Sequence, residues 1–297
     1  MNKKLVGTLC AIGAAVCYGT NPLGALNLYA EGMNTPSVLF YRFSLAWVVI
    51  AVVMAVKALG GKESLRVTRR EFLTLSALGV LFIFSSLTLY LSFHYMPAGV
   101  ASTILFTYPV MTAVIMTLFF RERLSAATVL SILLSLAGVL LLYWGDTGGT
   151  LSATGVVLVL VSALTYALYI IVVDKSPLPM SSFKINFYVL FYCGLGMALY
   201  ALLSGQELML PPTPKAWLWV SWLALVPAIM ALVMMVYAAK YLGSTPTAIL
   251  GALEPTTAVI IGVLLFHEPF TLRLLVGIVL ILAAVTIIVL HRHRAST

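Results

Sequence analysis

The sequence predicts an all-α polytopic membrane protein, in which ten transmembrane helices form two inverted five-helix repeats. Of its 297 residues, 62% are hydrophobic and only 9% are charged, whereas average soluble domains carry roughly 25% charged residues. The apolar residues run in blocks of about 20, the length that a helix needs to cross the hydrocarbon core of a bilayer. The third observation is an internal duplication.

The duplication relates residues 94–125 to residues 240–271 at a constant offset of 146. Each copy has an apolar helix with a central proline, a short turn with one glutamate, and the start of another apolar helix. We therefore predict two domains, residues 1–147 and 148–297. The corresponding positions are His94-Tyr95, Pro109, Ile115, Leu118, Phe120, Glu122 and Ser125 in the first copy, and Lys240-Tyr241, Pro255, Ile261, Leu264, Phe266, Glu268 and Thr271 in the second.

The first span is predicted over Leu5–Asn27. Its basic start and apolar run resemble a secretory signal peptide, but Tyr18 and its neighbours recur around Tyr166. A cleaved leader would have no reason to recur inside the chain, so we expect a retained helix. The other nine spans are predicted at about 36–56, 71–93, 97–120, 126–144, 153–173, 181–204, 217–241, 245–266 and 272–291, with a polar joint at 145–150 between the halves.

The odd number of helices per repeat predicts that the two repeats enter the membrane in opposite senses. The chain has 17 Lys and Arg residues. With both termini cytoplasmic, only Lys215 and Arg273 fall in outer segments and only Arg42 falls within a span, so the other 14 lie inside. This distribution follows the positive-inside rule. The net charge of +8 therefore reports topology and not nucleic-acid binding.

Several classes of protein are disfavoured by what the sequence lacks. Cys10, Cys17 and Cys193 lie in apolar blocks without Cys-x-x-Cys spacing, so we expect neither disulfides nor a metal site. An integral membrane enzyme would need a nucleophile with a base, or a metal-ligand set, at membrane depth. The four histidines lie at helix ends, and no phosphate-binding loop or metalloprotease motif is present. We expect no enzymatic activity, no catalytic residues and no cofactor.

The order and spacing of short motifs resemble the drug/metabolite transporter superfamily, specifically ten-helix members with two EamA domains. The motifs are Tyr18-Gly-Thr-Asn-Pro22, Tyr41-Arg-Phe43, Thr107-Tyr-Pro109 leading to Phe120-Arg-Glu-Arg-Leu124, Tyr166-Ala-Leu-Tyr169, and Leu253-Glu-Pro255 leading to Phe266-His-Glu268. The resemblance covers nearly the whole chain. It implies a carrier in the bacterial inner membrane with its substrate site between the two repeats, and many such proteins export amino acids or other metabolites.

The prolines predict where the helices break and where the site lies. Pro109 and Pro255 fall within the fourth and ninth spans, and each removes a backbone donor and frees the carbonyl four residues earlier. Free carbonyls are tolerated in a membrane where they line a cavity, and transporter sites lie at such breaks near the midplane. Glu254 precedes Pro255, and a carboxylate at that depth costs about 2.5–3.5 kcal/mol on insertion scales. It binds a cationic group, titrates, or satisfies the broken helix.

Further polar residues at membrane depth complete the candidate substrate site. Arg42 contacts a substrate carboxylate, pairs with Glu254, or reaches toward the interface; a structural role is the stronger reading for it. Aromatic hydroxyls are the better candidates, because a buried tyrosine hydroxyl needs a partner, and the serine and threonine hydroxyls are weaker because they often bond their own helix. The candidates are Tyr18, Asn21, Arg42, Ser86, Tyr90, Thr103, Thr107, Tyr108, Tyr166, Tyr169, Tyr237 and Glu254.

We therefore expect a secondary transporter that exports amino acids or related small metabolites by alternating access. The alternative is efflux of organic cations, which is weakened because the first helix has no acidic residue before Glu31. The expected partners are a small-molecule substrate and the lipid bilayer, with no nucleic acid. Small residues on the fifth and tenth helices, including Gly138 and Gly277, suit close helix packing, and the protein is a monomer or a homodimer.

Overall fold

A computed structural model describes residues 3–60, 64–120, 125–143, 152–176, 178, 180–242, 250, 251 and 253–296. In this part of the chain all regular structure is helical. Among the described residues, seven helical stretches, some of them interrupted by a break, are long and apolar enough to cross a membrane, and three more are apolar but shorter. The helices are α1 (Lys3–Gly19), α2 (Asn21–Ala30), α3 (Thr35–Leu59), α4 (Arg69–Ser92), α5 (Ala98–Leu105), α6 (Tyr108–Phe120), α7 (Ala126–Tyr143), α8 (Ala153–Lys175), α9 (Ser182–Leu203), α10 (Pro214–Leu223), α11 (Ala231–Leu242), α12 (Leu253–Phe266) and α13 (Leu272–Ser296).

The first span differs from the predicted continuous helix, because it breaks at Thr20 between α1 and α2. Pro22 follows the break and has no N–H to donate to the carbonyl of Tyr18. The side-chain amide of Asn21 donates to that carbonyl instead, at 2.8 Å, and the Thr20 hydroxyl donates to the Cys17 carbonyl at 2.7 Å. The Asn21 side chain thus replaces the hydrogen bond that the proline removes, and the Thr20 hydroxyl adds a second polar contact at the break.

The predicted break at Pro109 is present, since α5 ends at Leu105 and α6 begins at Tyr108. In the ninth span, α12 begins at Leu253 and Pro255 lies in its first turn, a position that proline tolerates well. Residues 245–249 and 252 of the predicted ninth span lie outside the described residues. The eighth span contains a break that we did not predict, a π-helical segment at Ala224–Met230 around Pro227.

The packing of the helices reflects the duplication. The first span packs along the eighth (α1 on α11), and the third packs along the sixth (α4 on α8). The second packs on the seventh, the fourth on the ninth, and the fifth on the tenth. Exchanging each span with its counterpart five spans away leaves this pattern unchanged. The described helices therefore pack as two repeats related by a pseudo-two-fold axis.

Counterpart helices run antiparallel. The start of α3 lies beside the segment after α9, where the Asn34 side chain donates to the Glu207 carbonyl at 2.9 Å. The end of α3 lies beside the start of α9, where the Lys57 ammonium stands 4.1 Å from the Phe183 ring centroid. The second and seventh spans therefore point in opposite directions, as inverted repeats require.

Contacts between loops define two ends of the molecule. We call the end formed by residues 31–37, 93–99, 204–215 and 267–271 the acidic end, and the end formed by residues 57–60, 64–70, 175, 176, 178 and 180–184 the basic end. At the acidic end Glu31 pairs with Lys215 at 3.2 Å. At the basic end the Lys184 ammonium donates to the Arg66 carbonyl at 2.7 Å. The positive-inside rule predicts that the basic end faces the cytoplasm.

The small residues of the fifth and tenth spans contact each other within the chain. A Cβ atom at Gly138 would lie 2.8 Å from Ile281, and one at Gly277 would lie 2.7 Å from Leu142. The two glycines thus allow α7 and α13 to approach closely, a use of small residues common in membrane helices.

Candidate functional site

A cavity of about 100 Å³ lies between the two repeats, and seven of the ten spans contribute to its wall. Arg42 and Glu254 supply a cation and an anion, and the other polar groups are mostly hydroxyls. Eight of the twelve predicted site residues line it. The lining residues are Tyr18, Asn21, Arg42, Phe82, Ser85, Ser86, Leu89, Tyr90, Leu105, Phe106, Tyr108, Tyr166, Met235 and Glu254.

Arg42 is held in the cavity wall by a chain of hydrogen bonds. The Arg42 side chain is 6% exposed, and its Nη1 donates to the Tyr90 hydroxyl at 2.5 Å. The Tyr90 hydroxyl donates in turn to Oδ1 of Asn21 at 3.3 Å. The Nε of Arg42 has no hydrogen-bond partner, and within the described part of the chain Arg42 forms no ion pair. The guanidinium therefore retains donor capacity toward the cavity.

Glu254 provides the negative charge of the same cavity. It lies in the first turn of α12, and its backbone N–H donates to the Gly251 carbonyl at 2.9 Å. Among the residues that the structure describes, none donates a hydrogen bond to its carboxylate or pairs with it. The backbone N–H of Glu254 thus provides a hydrogen bond to the Gly251 carbonyl at the break in the helix. The carboxylate is not needed for this and is available to a ligand or a proton.

Tyrosine rings form one side of the cavity. The rings of Tyr108 and Tyr166 meet edge to face with their centroids 4.8 Å apart. Tyr169 does not line the cavity, but its ring is parallel to that of Tyr166 at 6.0 Å and contacts Phe82 at 5.3 Å. Tyr169 therefore supports the aromatic wall from behind.

Three other predicted site residues lie outside the central cavity. The Thr103 hydroxyl donates to the Gly99 carbonyl of its own helix at 2.9 Å. Thr107 lines a separate apolar cleft of about 460 Å³ between α6, α7 and α8, and no described residue forms a hydrogen bond with its buried hydroxyl. Tyr237 is 46% exposed, and its ring stacks on that of Tyr241 at 6.0 Å.

Sequence reasoning missed six of the lining residues: Phe82, Ser85, Leu89, Leu105, Phe106 and Met235. Three of them lie on α4, where Phe82, Ser85 and Leu89 share a helical face with Ser86 and Tyr90. Steps of three and four residues from Ser86 along that face give Phe82 and Leu89, and one further step from either gives Ser85. Met235 carries no polar signal, so nothing in the sequence distinguished it from the other apolar residues of α11.

The described residues contain no group of three or more His, Cys, Asp or Glu side chains that could hold a metal ion. The polar groups of the cavity are one guanidinium, one carboxylate, one amide and several hydroxyls. Such a set binds a small polar molecule through charge and hydrogen bonds.

Comparison with known proteins agrees with this architecture. The model of the EamA-like transporter family matches residues 5–144 and 153–290, and the chain belongs to this family. An uncharacterized transporter of Archaeoglobus fulgidus is 30% identical over 64% of this chain and 66% of its own length. Uncharacterized transporters of Clostridium kluyveri and Synechocystis sp. are 21% and 25% identical, over 93% and 100% of this chain and 90% and 97% of their own.

A solved crystal structure shares the fold, with a TM-score of 0.68 over 98% of this chain and 99% of the other. The two sequences are 19% identical, so this likeness concerns the fold alone. The relatives and the family are transporters, which agrees with the expectation that the protein is not an enzyme.

Proposed function

We propose that this transporter carries amino acids or related zwitterionic metabolites, and that it exports them by alternating access between its two repeats. The observation that carries the proposal is the pair of opposite charges in one cavity. Arg42 fits a carboxylate and Glu254 fits an ammonium group, and neither is neutralised by an ion pair within the described chain. Buried charges without partners are costly in a membrane. This pair of side chains therefore favours a zwitterionic ligand, whose carboxylate and ammonium groups pair with the two charges.

The dimensions and lining of the cavity support a small substrate. A volume of about 100 Å³ is below the roughly 300–1,000 Å³ typical of sites for drug-sized ligands. The apolar side chains Leu89, Leu105 and Met235 provide a surface for an aliphatic or aromatic substituent. Tyrosine rings and Glu254 would also suit an organic cation, but Arg42 in the same wall repels one. Organic-cation efflux therefore remains the second candidate.

The arrangement of the repeats supports alternating access. Inverted repeats allow one chain to form two related states that open to opposite sides. The antiparallel pairing of the second and seventh spans supplies this relation, and the broken first and fourth spans place Asn21 and Tyr108 at the cavity. Export is the direction that the family resemblance implies.

Reconstitution in liposomes tests the proposal with four probes of matched chemistry. These are radiolabelled leucine, isoamylamine as the analogue without the carboxylate, 4-methylpentanoate as the analogue without the amine, and tetraphenylphosphonium as a lipophilic cation. We expect flux of leucine, or of another amino acid in a wider panel, above that of protein-free liposomes. The protein should add little to the passive flux of either truncated analogue. Robust protein-dependent flux of the lipophilic cation, without protein-dependent flux of any zwitterion, would replace the proposal with organic-cation efflux.

The variant Arg42→Gln tests the assigned contact directly. A hydrogen bond to a charged group contributes about 1.5–3 kcal/mol, so loss of the guanidinium should lower zwitterion transport by about 10–100-fold. Lys215→Gln is the matched control, because Lys215 carries the same charge at the acidic end and its side chain is 62% exposed. Equal transport by Arg42→Gln and the control would contradict the carboxylate contact.

A further inference from the structure

Glu268 joins the two repeats at the acidic end through a pair of hydrogen bonds. It follows α12 in the second repeat, and its carboxylate reaches the start of α5 in the first. The backbone N–H of Ala98 donates to Oε1 at 2.7 Å, and that of Gly99 donates to Oε2 at 3.1 Å. The first N–H groups of a helix have no partner within the helix, and the helix dipole favours an anion there.

The local chain is built to hold this carboxylate. His267 has a φ of +54°, which turns the backbone sharply after α12, and the Glu268 N–H donates to the Gly262 carbonyl at 3.0 Å. A Cβ atom at Gly262 would overlap the Glu268 carboxylate, and one at Gly99 would lie 3.0 Å from Oε2. Two glycines, one in each repeat, thus leave the space that the carboxylate occupies.

The contact acts on a helix that forms part of the cavity wall. α5 starts at the Glu268 contact and leads directly to Leu105 and Phe106, which line the cavity, and then to Tyr108. Other contacts also join the repeats at this end, among them the hydrogen bond from the Thr213 hydroxyl to the Glu31 carboxylate at 2.7 Å. If the acidic end opens during transport, α5 and α12 must separate there, and the Glu268 contact must break.

The residues that correspond to these two glycines at the other end of the carrier are not glycines. At the offset of 146, Glu122 corresponds to Glu268, but Met116 corresponds to Gly262 and Thr245 corresponds to Gly99. Glu122 and Thr245 lie outside the described residues, so this comparison concerns residue type alone. Both substitutes carry a Cβ atom where the second repeat's arrangement requires none. In residue type, the pair of glycines that lines the carboxylate at the acidic end therefore has no counterpart at the offset of 146.

We propose that Glu268 is a positioning residue of the transport cycle, which holds α5 against α12 and favours the state closed at the acidic end. The residues that correspond to the two glycines at the other end of the carrier are Met116 and Thr245. From this difference in residue type we expect the contact to bias the carrier toward closure at the acidic end. The inference rests on the family's transport activity and not on the identity of the substrate. The role of Glu268 can therefore be disproved while the proposed substrate is confirmed, and it can be confirmed while the proposed substrate is disproved.

Cysteine labelling measures closure without any substrate. Cys10, Cys17 and Cys193 are first replaced by serine or alanine, and Ser92→Cys then supplies the probe. Ser92 is fully buried in the last turn of α4 at the acidic end, and the exchange nearly preserves its size. Its reaction rate with a polar maleimide in the purified protein reports how often this end opens.

We expect Glu268→Ala to react about fivefold faster, the effect typical of removing a side chain that accepts from the first N–H groups of a helix. Gly262→Ala should have a similar effect, because it displaces the carboxylate while Glu268 is retained. Glu207→Gln is the matched control: Glu207 is exposed at the same end, and its charge is removed without touching α5. Size-exclusion profiles identify any variant that has lost its fold.

Hydrogen exchange over residues 98–105 separates a gate from a simple helix cap. Faster exchange together with faster labelling in both folded variants supports the proposal. Faster exchange with unchanged labelling would mean that Glu268 only caps α5, and this would overturn the proposal. Unchanged labelling and exchange in Gly262→Ala, in a folded protein, would overturn it as well.

Discussion

Two glutamates at the two ends of α12 have opposite surroundings. Glu254 lies in the first turn and faces the central cavity, where no described residue donates to its carboxylate. Glu268 follows the last turn and accepts two backbone hydrogen bonds from α5. A carboxylate that the fold satisfies contributes to holding the repeats together, whereas one that the fold leaves unsatisfied is available to a substrate or a proton.

Neutralising Glu254 should have the largest effect. Glu254→Gln keeps the size of the side chain and removes its charge, so the contact with a substrate ammonium group is lost. At about 1.5–3 kcal/mol for a charged hydrogen bond, initial rates of zwitterion transport in liposomes should fall about 10–100-fold.

The pH profile of the same variant tests whether Glu254 also titrates during transport. If it does, the dependence of the rate on pH should flatten in Glu254→Gln. Glu207→Gln serves as the control with the same chemical change at an exposed site. Wild-type rate and pH profile in Glu254→Gln would show that the partner-free carboxylate has no part in transport.

A substitution at Gly19 should break the contact that places Glu254. A Cβ atom there would lie 2.5 Å from the Thr257 Cβ and 2.6 Å from the Glu254 carbonyl, so α1 and α12 must move apart. Overpacking of this kind costs about 1–3 kcal/mol, and Gly19→Ala should lower the apparent melting temperature.

Gly60→Ala is the matched control for Gly19, because its nearest neighbour would be 3.4 Å away, at the Val56 carbonyl. The Gly60 φ of −77° also suits alanine. An equal melting temperature in Gly19→Ala and the control would show that α12 tolerates displacement at the cavity.

Removing the Tyr90 hydroxyl should produce a smaller change. Tyr90→Phe deletes the acceptor of Arg42 and the donor to Asn21, each worth about 1 kcal/mol or somewhat more. We expect the KM for the transported zwitterion to rise about fivefold or more, while the melting temperature changes little. Tyr169→Phe is the control behind the aromatic wall, and a similar KM change in that variant would count against a specific role for Tyr90.

The pH dependence of closure at the acidic end should be the smallest effect. Burial raises the pKa of Glu268, although the N–H groups of Gly99 and Ala98 oppose this. In the open state the carboxylate would enter water and regain its ordinary pKa, so the closed state binds the proton more tightly. Closure should therefore weaken as pH rises through the raised pKa, and labelling at Ser92→Cys should become faster.

Two variants check the origin of that pH dependence. Glu268→Gln should remove it. Glu31→Gln should not remove it. Hydrogen bonds from Thr213 and Lys215 hold the pKa of Glu31 below its ordinary value, so the contribution of Glu31 to closure is lost only as pH falls through that lowered value.

The helices around Glu268 carry few other groups that titrate. α5 carries no titratable side chain, α12 carries only Glu254 at its far end, and Arg273 is the charged residue in the first turn of α13. Slower labelling at higher pH would contradict the sign.

The fold could be predicted from the sequence because bilayer thickness, proline chemistry and the duplication each constrain it independently. The break before Pro109 was predicted in this way. The break at Thr20 is not predicted, although Pro22 marks it, because the first span forms one apolar block. The site could be predicted only where polar residues lie at membrane depth, as for Arg42 and Glu254.

The orientation of each helix was harder to predict. In a bilayer both the lipid-facing and the inward-facing sides of a helix are apolar, so periodicity does not show which side faces the core. This is why Tyr237 was expected in the cavity although its side chain is largely exposed. The Glu268 contact with Ala98 could not be predicted either, because it joins positions 170 residues apart through a backbone group that every residue possesses.

The Asn21 side chain has two structural roles, and together they restrict how substrate preference can diverge among related carriers. Its amide nitrogen replaces the helical hydrogen bond lost at Pro22, while its oxygen accepts from Tyr90 in the cavity wall. Any replacement that alters recognition at Asn21 therefore also weakens the first helix. Leu89 and Met235 line the same cavity with apolar side chains and have no such backbone role, so selection for new substrates should act first at these two positions.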